Sequence, residues 1–367
     1  MSHFDLSQIP YFVDILNSGD VNESVPLTVH QNPDGYRTIR YDKSRLTPDL
    51  ISSYGLSRSI VVNESNEIVC FSPPKSLSPE AFMSKYPTPD ETIVAEEFVE
   101  GTMINVFWSG SWQIATRSTV GATTGFYNKK TFRDMFFEAA LELAQLDQTK
   151  CYSFVLQHPD NRIVVPILEL RLFLVGVYSI RNKFEVCTHD LLQGLVSVPT
   201  IYGRGIPYAE LAEKYASMNT PYTCMGVVIY NKVTGERTKL RNPVYEHVRK
   251  LRGNQPKLEY QYLCLRKEQK VDDFLKYYPE SKKRCMETRN RIHDFTVNLY
   301  KNYVSCYIKK ERPLIEYSKQ YRTHMFQMHQ HIFKEQKKHI TKNIVIQYVN
   351  DLHPSLLMHS INYTDHV

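Results

Sequence analysis

The last third of the chain interleaves cationic and aromatic side chains. Lys282-Lys283-Arg284, Arg289, Arg291, Lys309-Lys310 and Lys337-Lys338 are interspersed with Tyr277, Tyr278, Tyr300, Tyr303, Tyr307, Tyr317 and Tyr321. Cationic groups meet phosphates and aromatic faces stack on unpaired bases. Lys282, Lys283, Arg284, Lys309 and Lys310 are therefore the candidates for polyanion contacts here. Tyrosines at helical spacing also serve as core or boundary residues, and that reading stands beside the first. His324, His329 and His331 follow an i, i+5, i+7 pattern that does not share one helical face. No cysteine or carboxylate completes a ligand set, so no metal site is expected.

A second group lies in the first 250 residues. Arg58 opens the apolar run Ser59-Ile60-Val61-Val62, Lys75 follows another run in Ser72-Pro73-Pro74-Lys75, and Arg117 ends Trp112–Arg117. Lys239-Leu240-Arg241 is the last of the set. Between them stands Glu96-Glu97-Phe98-Val99-Glu100-Gly101, with a further apolar run directly after the glycine.

The elements that carry these residues fall into two textures that change near residue 250. Ser59–Asn63, Glu67–Ser72, Thr92–Glu97, Thr102–Trp108 and Trp112–Arg117 read as strands, as do Tyr152–Leu156, Arg162–Val165, Leu170–Tyr178, Phe184–Cys187, Cys224–Tyr230 and Arg237–Leu240. Ser109-Gly110-Ser111 reads as a hairpin turn that brings Trp108 and Trp112 together. The apolar spacing of Thr131–Leu146 predicts a helix, and Pro207–Met218 predicts another with proline in its first turn. From about Asn254 the chain reads as helical. Ile292, Phe295, Leu299, Tyr303, Cys306 and Tyr307 mark one face of a long helix, Pro313 breaks or starts one, and Leu314–Lys334 and Thr341–Leu352 follow. The expectation is an α+β domain over residues 1–250, with mixed or antiparallel sheets, and an all-α basic domain over 251–367.

Composition bounds the classes. The 367 residues are 42% hydrophobic and 23% charged, which fits a globular chain of two or three domains. No apolar run approaches the roughly 20 residues of a membrane span, so no membrane partner is expected. Met1 to Asp14 lacks a basic stretch followed by an apolar core, and is read as no signal peptide. The seven cysteines are scattered, odd in number and without a CxxC pair. They are read as reduced thiols in a cytoplasmic, unsecreted protein. Of the net +6, residues 251–367 hold 21 Lys and Arg against 12 Asp and Glu, a net +9, and the first 250 residues are slightly acidic. The basicity belongs to the helical third and fits a polyanionic partner there.

Taken in order, the segments of the first domain resemble the phage and large-DNA-virus type of ATP-dependent RNA ligase, within the covalent nucleotidyltransferase superfamily. The resemblance covers roughly residues 40–250. It is carried most specifically by Phe154 to Val165, with its Asn161-Arg162-Ile163-Val164 string, and by Lys239-x-Arg241 with Tyr245 beyond. It implies an adenylation-domain fold. In that family a lysine of a Lys-x-Asp-Gly motif attacks the α-phosphate of ATP, carboxylates hold Mg2+ and ribose, and basic residues hold phosphates. It also implies a helical appendage that helps choose the RNA.

The chain departs from that pattern at the reacting groups. Phe98 stands at the nucleophile position, three residues before Gly101, and a phenyl ring has no lone pair for phosphorus. Glu100 replaces aspartate, while Val155 and Met225 replace two glutamates. The resemblance leaves Arg58, Lys75, Glu100, Gly101, Arg117, Lys239 and Arg241 as nucleotide- or phosphate-binding candidates, with no catalytic residue and no metal ligand. The expected function is an RNA- or nucleotide-binding protein with self-adenylylation lost, and ATP and Mg2+ are cofactors only if the family activity survives. Two alternatives stand: an active ligase with a displaced nucleophile, Lys75 by position, and a viral scaffold protein that reuses the fold. The resemblance also allows a protein partner that supplies the missing groups, and says nothing of oligomeric state.

Overall fold

The structure is a computed structural model that describes residues 2–126, 130–192 and 194–364. It divides into two compact units, Met1–His247 and Val248–Val367. The strands of the first unit are, in chain order, β1 (His3–Asp5), β2 (Leu27–Gln31), β3 (Arg37–Tyr41), β4 (Ile60–Val62), β5 (Ile68–Cys70), β6 (Ile93–Glu97) and β7 (Thr102–Trp108). They continue as β8 (Trp112–Ala115), β9 (Cys151–Gln157), β10 (Arg171–Arg181), β11 (Glu185–His189), β12 (Ile201–Arg204), β13 (Gly226–Asn231) and β14 (Arg237–Arg241). They form three sheets, ordered β1-β11-β10-β9-β7-β8, β12-β6-β13-β14 and β2-β3-β4-β5. Every pairing between named strands is antiparallel.

Alternation decides the faces of the sheet that matters most here. In β6, β13 and β14 the residues Ile93, Ala95, Val227, Ile229 and Leu240 pack on Phe82 and Leu211 from the helices Pro79–Lys85 and Tyr208–Tyr215. With a side-chain period of two, the other face carries Val94, Glu96, Val228, Tyr230, Arg237, Lys239 and Arg241. The expected hairpin at Ser109-Gly110-Ser111 is present, with Trp108 opposite Trp112 and their rings 5.4 Å apart, edge to face.

Some sequence expectations need correction. The helix read over Thr131–Leu146 runs only from Phe132 to Phe137. Thr131 and Asp134 cap it reciprocally, but the Glu138 carboxylate is held by Lys130 at 2.7 Å and His158 at 2.9 Å, and Ala140 turns left-handed. Arg162–Val165 is no strand, because the main-chain N–H groups of Val164 and Val165 are drawn to a carboxylate (below) instead of a neighbouring strand. Strands β1, β2, β3 and β12 stand where no strand was read.

The second unit is built on the helix Lys282–Tyr303, whose Phe295, Leu299 and Tyr303 are buried. Around it lie Leu258–Lys267, Val271–Tyr277, Lys319–Gln327, Lys342–Asp351 and Pro354–Ile361. The long helix does not continue regularly to Tyr307: Val304–Ile308 is π-helical. The segment read as one helix over Leu314–Lys334 is divided. A 3-10 turn at Leu314–Glu316 precedes Lys319–Gln327, which runs on into a π-helical stretch, Met328–Glu335. Among the described residues no helix is long and apolar enough to cross a membrane.

Candidate functional site

Strands β6, β13 and β14 bring the charged residues of the first unit together. Register places Glu96 opposite Val228 and Val228 opposite Lys239, while Gly226 pairs with Arg241 and Tyr230 with Arg237. Arg237, Lys239 and Arg241 thus form a cationic row on one face. Arg58 and Lys75 arrive on segments flanking β4 and β5 and lie within electrostatic reach of Lys239. Lys75 is fixed by its main-chain N–H, which donates to the Gly55 carbonyl at 2.9 Å, and its Nζ donates to the Ser76 carbonyl at 3.3 Å.

Phe98 follows β6 at the edge of this row. Lys239 Nζ lies 4.4 Å from the centre of its ring, and the Arg241 guanidinium carbon 5.2 Å. The ring is half-buried. A phenyl face attracts cations through its quadrupole but neutralises none of their charge.

The electrostatic consequences are consistent. Burial, then the charges of Arg237, Arg58, Arg241 and Lys75, pushes the Lys239 amine well below the usual lysine range. Burial, Arg58 and Arg241 push Lys75 down as well. Glu96 is the carboxylate on the same face, and burial raises it to about 7 although Arg237 and Lys239 oppose the rise. Near neutral pH the cations therefore face a carboxyl group that is only partly ionised. Among the described residues Arg237 Nε is shut off from solvent and has no acceptor. Arg241 reaches Glu246 at 2.9 Å.

The remaining candidates are placed differently. Arg117 donates to the carbonyls of Arg58 (3.3 Å) and Tyr41 (2.9 Å) and lies 4.6 Å over the Tyr41 ring, so its guanidinium braces main chain. Glu100 is buried, and Oε1 accepts from the N–H groups of Val164 and Val165, both at 3.1 Å. Burial raises its pKa against those bonds and the bond from the Tyr245 side chain. Gly101 has φ +152°, and a Cβ there would stand 2.5 Å from the Leu156 carbonyl oxygen. Val155 packs with Val99 and Phe173, and Met225 is half-buried just ahead of β13. Lys282, Lys283, Arg284, Lys309 and Lys310 are on the second unit: the first three open its long helix, and the last two follow the π-helical Val304–Ile308.

Sequence reasoning missed Arg237 and Glu96. The signal was present in both cases: Arg237 continues the alternation of Lys239 and Arg241, and Glu96 lies two residues before Phe98.

The chemistry open to this arrangement is the binding of oxyanions. Arginine and lysine donors form short charge-assisted bonds to phosphate, and an anion would relieve the mutual repulsion of the row. A magnesium ion takes oxygen ligands. Positions 155 and 225 offer none, and the Glu100 oxygens are engaged, so these residues do not fit a magnesium site. Among the described residues no group of three His, Cys, Asp or Glu is placed to hold a metal.

The chain is 22% identical over 290 residues to an RNA ligase of Rhodothermus phage RM378, covering 67% of this chain and 64% of that protein. It is 24% identical over 254 residues to an immediate-early protein ICP-46 homologue of Invertebrate iridescent virus 6, covering 62% and 55%. The chain resembles RNA-ligase-type nucleotidyltransferases. It spans less than two thirds of the length of these curated relatives. No family model matches the chain. Among solved structures, two forms of an archaeal ATP-dependent RNA ligase align with it at 15% and 12% identity. The first alignment covers 70% of this chain and 68% of that one with a TM-score of 0.41. The second covers 79% and 83% with a TM-score of 0.43.

Proposed function

We propose that this chain is an RNA-ligase-like protein that binds the phosphates of RNA or a nucleotide on the β6–β13–β14 face and forms no lysyl adduct. The observation that carries the reading is the convergence of Arg58, Lys75, Arg237 and Arg241 on Lys239, with Lys239 and Arg241 over the Phe98 ring. This is an anion-binding arrangement with a phenyl ring where the nucleophile would be. The triphosphate of ATP fits the cations, and no step is assigned to magnesium. Residues 1–250 would hold the phosphate site, and the basic residues 251–367 would extend the RNA contact through Lys282, Lys283, Arg284, Lys309 and Lys310. The relatives of this chain are viral, which supports a viral origin and action in the host cytoplasm or the virion.

The test is incubation with α-labelled ATP, with and without nicked RNA, followed by denaturing electrophoresis, and equilibrium binding of ATP alongside. The expected result is no covalent label but measurable binding, weakened about tenfold by Lys239→Glu or Arg241→Glu, as for lost charge-assisted bonds. A label on the wild-type protein overturns the reading. The absence of salt-dependent binding, together with a stable protein complex, would favour a scaffold role or a partner that supplies the missing groups.

A second reading has specific support. The amines of Lys75 and Lys239 are both shifted toward the neutral, nucleophilic form. Lys239 Nζ also lies against the ring at the nucleophile position. A displaced nucleophile predicts an acid-labile label that Lys75→Ala or Lys239→Ala removes.

A further inference from the structure

The second unit contains a column of flat rings that runs from its core to its surface. Tyr303 is buried, and its hydroxyl lies 3.1 Å from His329 Nδ1. Tyr307 stacks on His329 at 3.9 Å and 10°, and His329 stacks on Phe333 at 5.0 Å and 19°. Phe333 is 40% exposed, and His339 flanks it at 6.1 Å, tilted by 55°. Three near-parallel rings therefore end on a partly exposed phenyl ring.

Two π-helical segments build the column, Val304–Ile308 carrying Tyr307 and Met328–Glu335 carrying His329 and Phe333. Such segments are rare and are found disproportionately at functional sites. Each is followed by a lysine in the left-handed region, Lys310 at φ +55° and Lys337 at φ +56°, where glycine or asparagine would be at ease. The two turns put Lys309 and Lys310 after one segment and Lys334, Lys337 and Lys338 at the end of the other, all exposed. Lys309 pairs with Glu311 at 3.5 Å. Among the described residues, Lys310, Lys334, Lys337 and Lys338 make no ion pair. The nearby acids are engaged, Glu311 by Ser305 and Lys309, and Glu335 by His331.

We propose that this column and its lysines form a docking surface for unpaired bases of single-stranded RNA. A base has the same flat, stackable face as the rings of the column, and the surrounding charge complements a phosphate backbone. A-form duplex hides its base faces and can offer this surface only its backbone. The inference rests on the reading that the partner is RNA, but uses none of the β6–β13–β14 residues.

The test is fluorescence anisotropy of the full chain with a labelled 12-nucleotide oligouridylate and with a 12-base-pair RNA duplex, at several salt concentrations. The expected result is tighter binding of the single strand. Phe333→Ala should weaken it about tenfold, within the range for loss of one base stack, and leave the duplex and the salt slope unaffected. Phe333→Trp should restore affinity, with its fluorescence quenched by the oligonucleotide. Lys337→Glu with Lys338→Glu should reduce the salt slope by about 1.4, since each phosphate contact contributes about 0.7 for single strands. The proposal is overturned if Phe333→Ala leaves single-strand affinity unchanged, if it weakens duplex equally, or if binding does not respond to salt. ATP binding separates the two ideas: wild-type protein that binds ATP but no oligonucleotide retains the β6–β13–β14 reading and removes this one.

Discussion

Glu96→Gln tests the electrostatics of the cationic face directly. Glu96 and Lys239 flank Val228 on adjacent strands, and burial lifts the carboxyl from 4.5 to about 7. The folded state therefore holds this proton more tightly than the unfolded chain does. Between pH 4.5 and 7 the unfolded state binds fewer protons, so stability falls as pH rises through that window. A displacement of this size costs the folded state about 3 kcal/mol once the group is fully ionised. Glutamine cannot ionise and escapes that cost. The two proteins should differ little at pH 5, and Glu96→Gln should be the more stable at pH 8, by up to about 3 kcal/mol. The attraction of the ionised Glu96 to Arg237 and Lys239 is already contained in that displacement.

Urea unfolding at pH 5, 6, 7 and 8 measures the difference, with equal m-values as the control that both proteins unfold from the same state. A difference that is constant from pH 5 to 8 would refute the placement of Glu96 in a buried cationic field. Anion binding supplies a second readout. Ionisation of Glu96 subtracts one positive charge from the face as pH rises through 7, so wild-type phosphate affinity should fall there and the variant's should not.

Two further predictions concern the same sheet. Gly226 has φ +128°, and a Cβ there would stand 2.1 Å from the Leu240 carbonyl oxygen, so Gly226→Ala should destabilise the first unit by about 2–3 kcal/mol, measured by thermal unfolding. Lys239→Met removes a buried amine surrounded by other cations. It should raise the melting temperature while lowering affinity for ATP, a split that a purely structural lysine would not produce.

The legible part of the fold was what local periodicity controls. Lys239 and Arg241 are two residues apart on a strand, so their sharing a face follows from the chain alone, and the same alternation extends to Arg237. The Trp108–Trp112 contact follows from one short turn. The misreadings have long-range causes. Nothing near Val164 and Val165 announces that Glu100, more than sixty residues earlier, accepts from both N–H groups and removes them from any strand ladder. The helix from Phe132 stops at Phe137, although apolar spacing continues beyond it, where Lys130 and His158 hold Glu138. The sequence likewise does not announce that the Arg117 guanidinium braces the Arg58 and Tyr41 carbonyls, a contact that depends on how two sheets meet. His329 and Phe333 are four residues apart and meet as helical neighbours do, but the stacking of Tyr307 on His329 joins segments 22 residues apart, which no local pattern announces.

Phe98 accounts for how so many cations can sit together. A lysine at that position would add a sixth charge beside Lys239 and Arg241, and would require carboxylates or a bound nucleotide to hold the cluster. Positions 155 and 225 offer valine and methionine instead. A phenyl ring adds no charge and presents a face that attracts the two nearest cations, at roughly 1 kcal/mol for each well-placed contact. A neutral ring at position 98 and apolar residues at 155 and 225 are thus electrostatically consistent with one another. Together they leave the face cationic, and the anion proposed above would offset that charge.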